Sequence, residues 1–155
     1  IIVQMMNDLI RQCMIRNHLN SPSLVVLDHG SPIKDVTEVR NRVAQNLVAH
    51  FSGSVTPASM ERRKGDEYLF NEPLLTSVLE TLSQEKTICQ VVLSMLFFSP
   101  GRHAGEDGDI AQICQKAKEK NPNLEIYRTE LLGAHPGLID LLHQRYKEAI
   151  LAKPL

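Results

Sequence analysis

Two histidines, His29 and His103, follow apolar runs of the chain and stand among glycine, serine and charged residues. His29 comes directly after residues 24–28, and His103 closes segment 99–103, which reads Ser-Pro-Gly-Arg-His. Neutral imidazole binds borderline divalent metals and accepts protons near neutral pH. Two such rings with a nearby carboxylate would form a metal site, a proton-transfer site, or both. The structural alternative for each ring is a histidine that only caps the end of a strand.

Other polar residues also come after predicted strands, where open parallel sheets bind their ligands. They are Asp28, Ser31, Glu61, Arg102, Glu106, Asp107, Glu130 and His135. Glu61 is either an acid-base group or a solvated loop acid, and His135 is either a ligand contact or a turn residue. Arg62 and Arg63 belong to a basic run that would bind a polycarboxylate substrate or would simply be solvated. The remaining histidines fall on predicted helices, and we expect no functional role for His18, His50 and His143.

Short apolar runs alternate with amphipathic segments, which predicts a βαβαβαβα order and a parallel sheet with helices on both faces. The predicted strands are residues 24–28, 55–60, 88–98 and 124–128, in the spatial order 2-1-3-4. The predicted helices are residues 35–51, a segment from about 71, 110–120 and 138–151. The predicted apolar faces are Val36, Val39, Val43, Leu47 and Val48 in the first helix and Ile139, Leu142, Tyr146 and Ile150 in the last.

Residues 1–22 precede the first predicted strand. Apolar residues recur there at helical spacing, and Asn20, Ser21 and Pro22 end the pattern. We expect an N-terminal helix or linker over residues 1–22 and an α/β domain over residues 23–155. The helix would cap the sheet, pack in a dimer, or be the tail of a linker from a preceding module. The initial Ile1 fits a fragment or a processed form.

The composition excludes several classes of function. The 17 Lys and Arg residues nearly balance the 18 Asp and Glu residues, and only 5% of the 155 residues are aromatic, so we expect neither a nucleic-acid nor a membrane partner. Three cysteines without a C-x-x-C spacing predict neither a disulfide framework nor a zinc ribbon, and they fit a reducing compartment. Gly30 belongs to no phosphate-binding glycine pattern, so no nucleotide is expected.

Three motifs occur in the order and at the positions that are typical of a known family. They are Asp28-His29-Gly30-Ser31, the segment 99–103 and Leu132-Gly133-Ala134-His135-Pro136. Together they resemble the class II sirohydrochlorin chelatases, the cobalt- and iron-inserting enzymes of cobalamin and siroheme synthesis. The resemblance covers residues 23–151. Glu61 and the Glu72-Pro73 pair match two further points of the family pattern, but residues 62–71 make a longer loop than the family's.

The resemblance implies a flavodoxin-like fold and insertion of a divalent metal into a tetrapyrrole without ATP or an organic cofactor. It implies that His29 and His103 bind the incoming metal and take up pyrrole protons, with Glu61 assisting. Ser31, Arg102, His135, Arg62 and Arg63 are the expected substrate-binding residues. The metal is a substrate, cobalt or ferrous iron, with nickel not distinguished. A homodimer or a second chelatase module is expected, in the cytoplasm or, in a photosynthetic eukaryote, the plastid stroma.

Two other functions compete with this interpretation. A phosphoryl-transfer enzyme with a histidine nucleophile would want an arginine just before its His-Gly pair, where this chain has Asp28. The second is a non-catalytic module that binds metal or tetrapyrrole, or half of a larger chelatase.

Overall fold

The computed structural model describes residues 1–84 and 89–152 and shows an α/β fold built on one four-stranded sheet. All strand pairs are parallel, and the spatial order is β2-β1-β3-β4. The strands are β1 (Ser23–Asp28), β2 (Val55–Ser59), β3 (Cys89–Met95) and β4 (Leu124–Arg128). The fold class and the 2-1-3-4 order predicted from the sequence are confirmed.

The two central strands carry the core. Every residue of β1 after Ser23 is buried, and only Gln90 of β3 is partly exposed. A parallel strand covered on both faces requires such an uninterrupted apolar run, which explains why these strands show little alternation. β2 lies at one edge of the sheet and contains Pro57, which an edge strand tolerates because it needs hydrogen bonds on one side only.

Helices cover both faces of the sheet. The helices among the described residues are α1 (Ile2–Arg16), α2 (Lys34–Val48), α3 (Leu75–Ser83), α4 (Gly101–Ala104), α5 (Asp109–Lys120) and α6 (Gly137–Leu151), of which α1, α2, α3 and α5 cover the sheet. Alternate residues of β1 point into two separate cores, as the period of a strand dictates. Val26 packs with α1 and α2 on one face, and Leu27 packs with the α3 and α5 side on the other. No helix within the described ranges 1–84 and 89–152 is long and apolar enough to cross a membrane.

Several predicted boundaries are wrong. The third helix begins at Leu75 rather than near Asn71, because a residue before proline is driven away from the helical region and Glu72 is extended, with ψ of 152°. A 3-10 helix, Asp66–Asn71, fills part of the segment predicted as a charged loop. The third strand ends at Met95 rather than Phe98. Its predicted first residue, Ile88, lies outside the described residues.

Two predicted helix faces pack differently from the sequence pattern. In α2, Val43 and Leu47 are buried as predicted, but Val36, Val39 and Val48 are exposed. Thr37 and Arg40 are buried instead, and the apolar pattern misses them because both take part in a polar network described below. In α6, the predicted apolar face exists, but it is exposed along its whole length.

Candidate active site

His29 and His103 face each other at the carboxyl edge of the two central strands. Their ring centroids are 4.5 Å apart, and the ring planes are tilted by 50°. His29 follows β1 directly, and His103 lies on the short helix α4 after β3. Because β1 and β3 are hydrogen-bonded neighbours, the loops that follow them start side by side. The structure therefore brings together the two imidazoles that the sequence singled out.

The main chain holds His29 next to Glu61. The Met60 amide donates to the Asp28 carbonyl at 2.9 Å, and the Glu61 amide donates to the His29 carbonyl at 3.1 Å, which extends the pairing of β1 and β2 beyond the strands. Gly30 then turns the chain with φ of +97°, and a Cβ there would overlap the Glu61 carbonyl oxygen. Only glycine allows so close an approach in that conformation.

The contact between His29 and Glu61 requires a proton or a cation. Nδ1 of His29 lies 3.0 Å from the Gly30 carbonyl oxygen, which can only accept, so Nδ1 donates. Nε2 of the same ring lies 3.2 Å from Oε1 of Glu61. In a neutral ring with its proton on Nδ1, a lone pair on Nε2 would face the carboxylate. A proton or a metal ion between the two atoms removes that conflict, and both side chains are about half exposed to solvent.

His103 is oriented by a carboxylate that the sequence analysis missed. Nδ1 of His103 lies 2.6 Å from Oδ2 of Asp109, the first residue of α5. Since the carboxylate accepts, Nδ1 carries the proton and Nε2 is left as the atom that can bind a metal or accept a proton. The detectable signal was an acid six residues after the histidine at the start of a predicted helix, but that helix was predicted to begin at Ile110.

A buried polar network lies beneath the His29 turn. The Ser59 hydroxyl donates to Oδ1 of Asp28 at 2.6 Å, and the Arg40 guanidinium donates to Ser59 and, at 3.1 Å, to the Asn71 carbonyl. Burial lowers the pKa of Arg40, and the neighbouring Asp28 opposes that shift. The Asn71 amide side chain brackets the backbone of Ser31, accepting from its N–H and donating to its carbonyl, both at 2.9 Å.

This network anchors the turn that presents His29. It joins the end of β1, the end of β2, α2 and the 3-10 helix Asp66–Asn71 through side chains that are nearly fully buried. Oδ2 of Asp28 is buried and has no hydrogen-bond partner among the described residues. Asp28 was predicted to lie at the functional edge, but Arg40 and Asn71 were not, because neither follows a predicted strand.

The predicted substrate-binding residues are placed in different ways. The Ser31 hydroxyl accepts from the Ile33 amide at 3.0 Å, in the turn that precedes α2. Arg62 is bound to Glu72 at 2.7 Å and donates to two carbonyls of its own loop. Arg63 lies 5.9 Å from the Tyr68 ring. Arg102 is 84% exposed, with only a 3.7 Å approach to Asp109, so its guanidinium is available to solvent.

His135 is not brought against the imidazole pair by any described contact. Its Nδ1 accepts from the Gly137 amide at 3.0 Å, and its Nε2 lies 3.5 Å from Asp8 of α1. Only 12% of its side chain is exposed. These contacts fit the prediction that His135 is a turn residue. A role of His135 in substrate binding stays a prediction.

A cavity of about 910 Å³ opens at the carboxyl ends of β3 and β4, next to α4. It is lined in part by Phe98, Ala104, Gly105, Arg128 and Glu130, and α4 supplies the wall that adjoins His103. Neither His29 nor His103 lines it. Within residues 1–84 and 89–152, no group of three or more His, Cys, Asp or Glu side chains is arranged as a metal cluster.

Comparison with known proteins identifies the family. A family model for CbiX matches residues 23–149. The chain belongs to the CbiX family. This is the sirohydrochlorin chelatase family, and membership confirms the resemblance seen in the three motifs. CbiX membership supports a metal chelatase that acts on a sirohydrochlorin-like tetrapyrrole. No curated protein and no solved structure gives a significant match to the chain.

Proposed function

We propose that this CbiX-family chain inserts Co²⁺ or Fe²⁺ into sirohydrochlorin without ATP, with His29 and His103 as the residues that carry the metal and the protons. The observation that carries the proposal is the 4.5 Å approach of the two rings at the ligand-binding edge of the sheet. In each ring Nδ1 donates to an oxygen. Nε2 of His103 can therefore act as a ligand or a base, and Nε2 of His29 can do so once the proton that it shares with Glu61 has left.

The reaction needs both of these properties. Metal insertion forms bonds from the ion to the pyrrole nitrogens and breaks two N–H bonds, so two protons must leave the macrocycle. We assign them to the imidazole Nε2 atoms, with Glu61 passing the proton from His29 to solvent across the 3.2 Å contact. The divalent ion is held loosely, by the same nitrogens, before transfer. Imidazole and carboxylate ligands suit cobalt, iron and nickel alike.

The substrate's carboxylates require cationic partners. Arg102 is the predicted group whose guanidinium is most exposed next to the imidazole pair, and we assign it to carboxylate binding. The cavity beside α4 would take part of the macrocycle, since a volume of about 910 Å³ lies within the size range of small-molecule sites. Arg62 acts differently, by tying the loop of residues 62–71 to Glu72. We expect the reaction in the cytoplasm, or in the plastid stroma of a photosynthetic eukaryote.

An absorbance assay of metal insertion tests the proposal. The chain would be assayed without ATP against sirohydrochlorin and protoporphyrin, each with Co²⁺, Fe²⁺ and Ni²⁺. We expect product with sirohydrochlorin and cobalt or iron, and none with protoporphyrin. Spectral changes of binding without product would support the non-catalytic alternative, and the absence of both binding and insertion would reject the proposal.

A further inference from the structure

Arg128, the last residue of β4, contacts the loop between α4 and α5. Its guanidinium donates from Nη1 to the Gly105 carbonyl at 3.0 Å and from Nη2 to the Glu106 carbonyl at 3.1 Å. Alternate residues of a strand point to opposite faces of the sheet, and Ile126, two residues earlier in β4, packs in the core on the α5 side. Arg128 therefore reaches the loop from the face of the sheet that α5 covers.

The conformation of this loop, residues 105–108, sets the distance between His103 and Asp109, whose 2.6 Å contact orients the imidazole. The loop has the sequence Gly-Glu-Asp-Gly, and its two acidic residues are exposed. Two glycines in four residues leave the backbone many accessible conformations, because glycine restricts φ and ψ least. Hydrogen bonds are therefore needed to select the conformation that brings the Asp109 carboxylate to Nδ1 of His103.

The loop is folded closely against α4, and Arg128 holds it there. The Gly108 amide donates to the Gly105 carbonyl at 3.2 Å, and the same oxygen accepts from Arg128. A Cβ at Gly108 would lie 2.5 Å from the His103 carbonyl oxygen, so the loop returns onto the residue whose ring it helps to place. The carbonyls of two consecutive residues suit the planar fork of a guanidinium, whereas the single nitrogen of a lysine is a point charge.

We propose that Arg128 is a positioning residue for the metal substrate. By holding the carbonyls of Gly105 and Glu106, it keeps Asp109 against Nδ1 of His103, and so keeps Nε2 of His103 directed at the incoming ion. The inference rests on the proposed function, in which His103 binds the metal. Arg128 also lines the cavity beside α4, so direct binding of a substrate carboxylate is the competing role that the experiment must separate.

Calorimetric titration of the whole chain with Co²⁺, without tetrapyrrole, tests the proposal through a double-mutant cycle. Arg128→Ala should weaken Co²⁺ binding by about 10-fold, as the loss of outer partners of a metal ligand does. Asp109→Ala should weaken it by at least as much. The double variant should bind within roughly twofold of Asp109→Ala alone, because Arg128 acts only through the carboxylate that this variant already lacks. Two losses that multiply would overturn the proposal.

Two further variants separate the geometry of Arg128 from its charge and from a general effect of losing an arginine. Arg128→Lys keeps the charge but not the fork, so it should lose nearly as much Co²⁺ affinity as Arg128→Ala. Co²⁺ affinity of the wild-type strength in Arg128→Lys would overturn the proposal. The matched control is Arg145→Ala on α6, where an exposed arginine is paired with Glu148, and it should bind Co²⁺ like the wild type. Circular dichroism would check that each variant is folded.

Proton NMR of the metal-free chain tests the same role without relying on the proposed function. The Nδ1 proton of His103 should give a signal protected from exchange with water in the wild type, and Arg128→Ala should lose that protection because Asp109 is no longer held in place. An unchanged signal would overturn the proposal even if the wild type bound no Co²⁺, a result that would reject the proposed function separately. A raised KM for sirohydrochlorin with unchanged Co²⁺ affinity would also overturn it, and would assign Arg128 to carboxylate binding.

Discussion

His29 and His103 present the same side chain to the same space, but they are held by different partners. His103 is anchored through Nδ1 to Asp109 at 2.6 Å, and its side chain is 32% exposed. His29 has only the carbonyl of the next residue at Nδ1, and its Nε2 faces the carboxylate of Glu61. The His103 ring is therefore oriented through Nδ1, whereas the His29 ring is paired with Glu61 through Nε2, the nitrogen that would bind metal or accept a proton.

This difference suggests a division of work between the two rings. A histidine whose Nδ1 is fixed by a carboxylate keeps one tautomer and one orientation, which suits a steady metal ligand. A histidine whose Nε2 already shares a proton or cation with an exposed acid suits exchange with solvent. We infer that His103 mainly positions the metal and that the His29–Glu61 pair mainly carries protons away.

The largest expected effect is the loss of either ring. His29→Ala and His103→Ala should each lower the rate of insertion by about 100-fold to 10,000-fold, the range for removal of an acid-base group. Absorbance assays at saturating tetrapyrrole would measure it. His50→Ala, a change of an exposed histidine after α2, is the control and should leave the rate unchanged. Near wild-type rates of insertion in both His29→Ala and His103→Ala would contradict the assignment of metal binding and proton transfer to these two rings.

Substitutions of Asp109 and Glu61 should have different effects, because the two carboxylates contact different histidines. Asp109→Asn removes the carboxylate charge at His103 Nδ1 and should lower activity by about 10-fold to 100-fold, with weaker metal binding, as loss of such outer partners does. Glu61→Gln keeps the shape of the side chain but not its charge, and should lower kcat with little change in the KM for metal. Initial rates against metal concentration would separate the two. The opposite pattern would show that His29, not His103, positions the metal.

Glycine substitutions test how each ring is placed. Gly30→Ala should lower activity and destabilise the fold by about 1 to 3 kcal/mol, because the residue has φ of +97° and its Cβ would meet Glu61. Gly101→Ala is the matched variant before His103: its φ is +45°, and nothing lies within 4 Å of a Cβ there. Thermal unfolding and insertion assays would compare them. Equal losses of stability and activity in the two variants would mean that the positive φ alone causes the effect, and that the contact between a Cβ at position 30 and Glu61 does not contribute.

The smallest expected effect concerns Arg102. Because its guanidinium is exposed and only distantly paired, Arg102→Ala should raise the KM for sirohydrochlorin several-fold and leave the KM for metal unchanged. Arg62→Ala serves as a comparison, since Arg62 is occupied by Glu72 and should affect the loop of residues 62–71 rather than carboxylate binding. A raised KM for metal in Arg102→Ala would contradict its assignment to the macrocycle.

The sequence predicted the parts of the site that depend on strand ends. Apolar runs place residues 24–28 and the third strand in the sheet, so His29, Glu61 and His103 were found from their positions after strands. Arg40 and Asn71 were not, because their importance comes from contacts between segments that no local pattern encodes, and Asp109 was missed because the helix that begins at it was predicted to begin one residue later. The same limit explains α2, where the burial of Thr37 and Arg40 was not predicted, and α6, whose apolar face was visible in the sequence but whose exposure was not.

Diffraction at the cobalt absorption edge, from crystals of this chain soaked with Co²⁺, tests whether His29 and His103 hold the metal substrate. We expect one anomalous peak between Nε2 of His29 and Nε2 of His103, within bonding distance of both, and the loss of that peak in His103→Ala. A peak bound by other residues, or no peak at a cobalt concentration that saturates insertion, would contradict the claim that the two imidazoles hold the metal substrate.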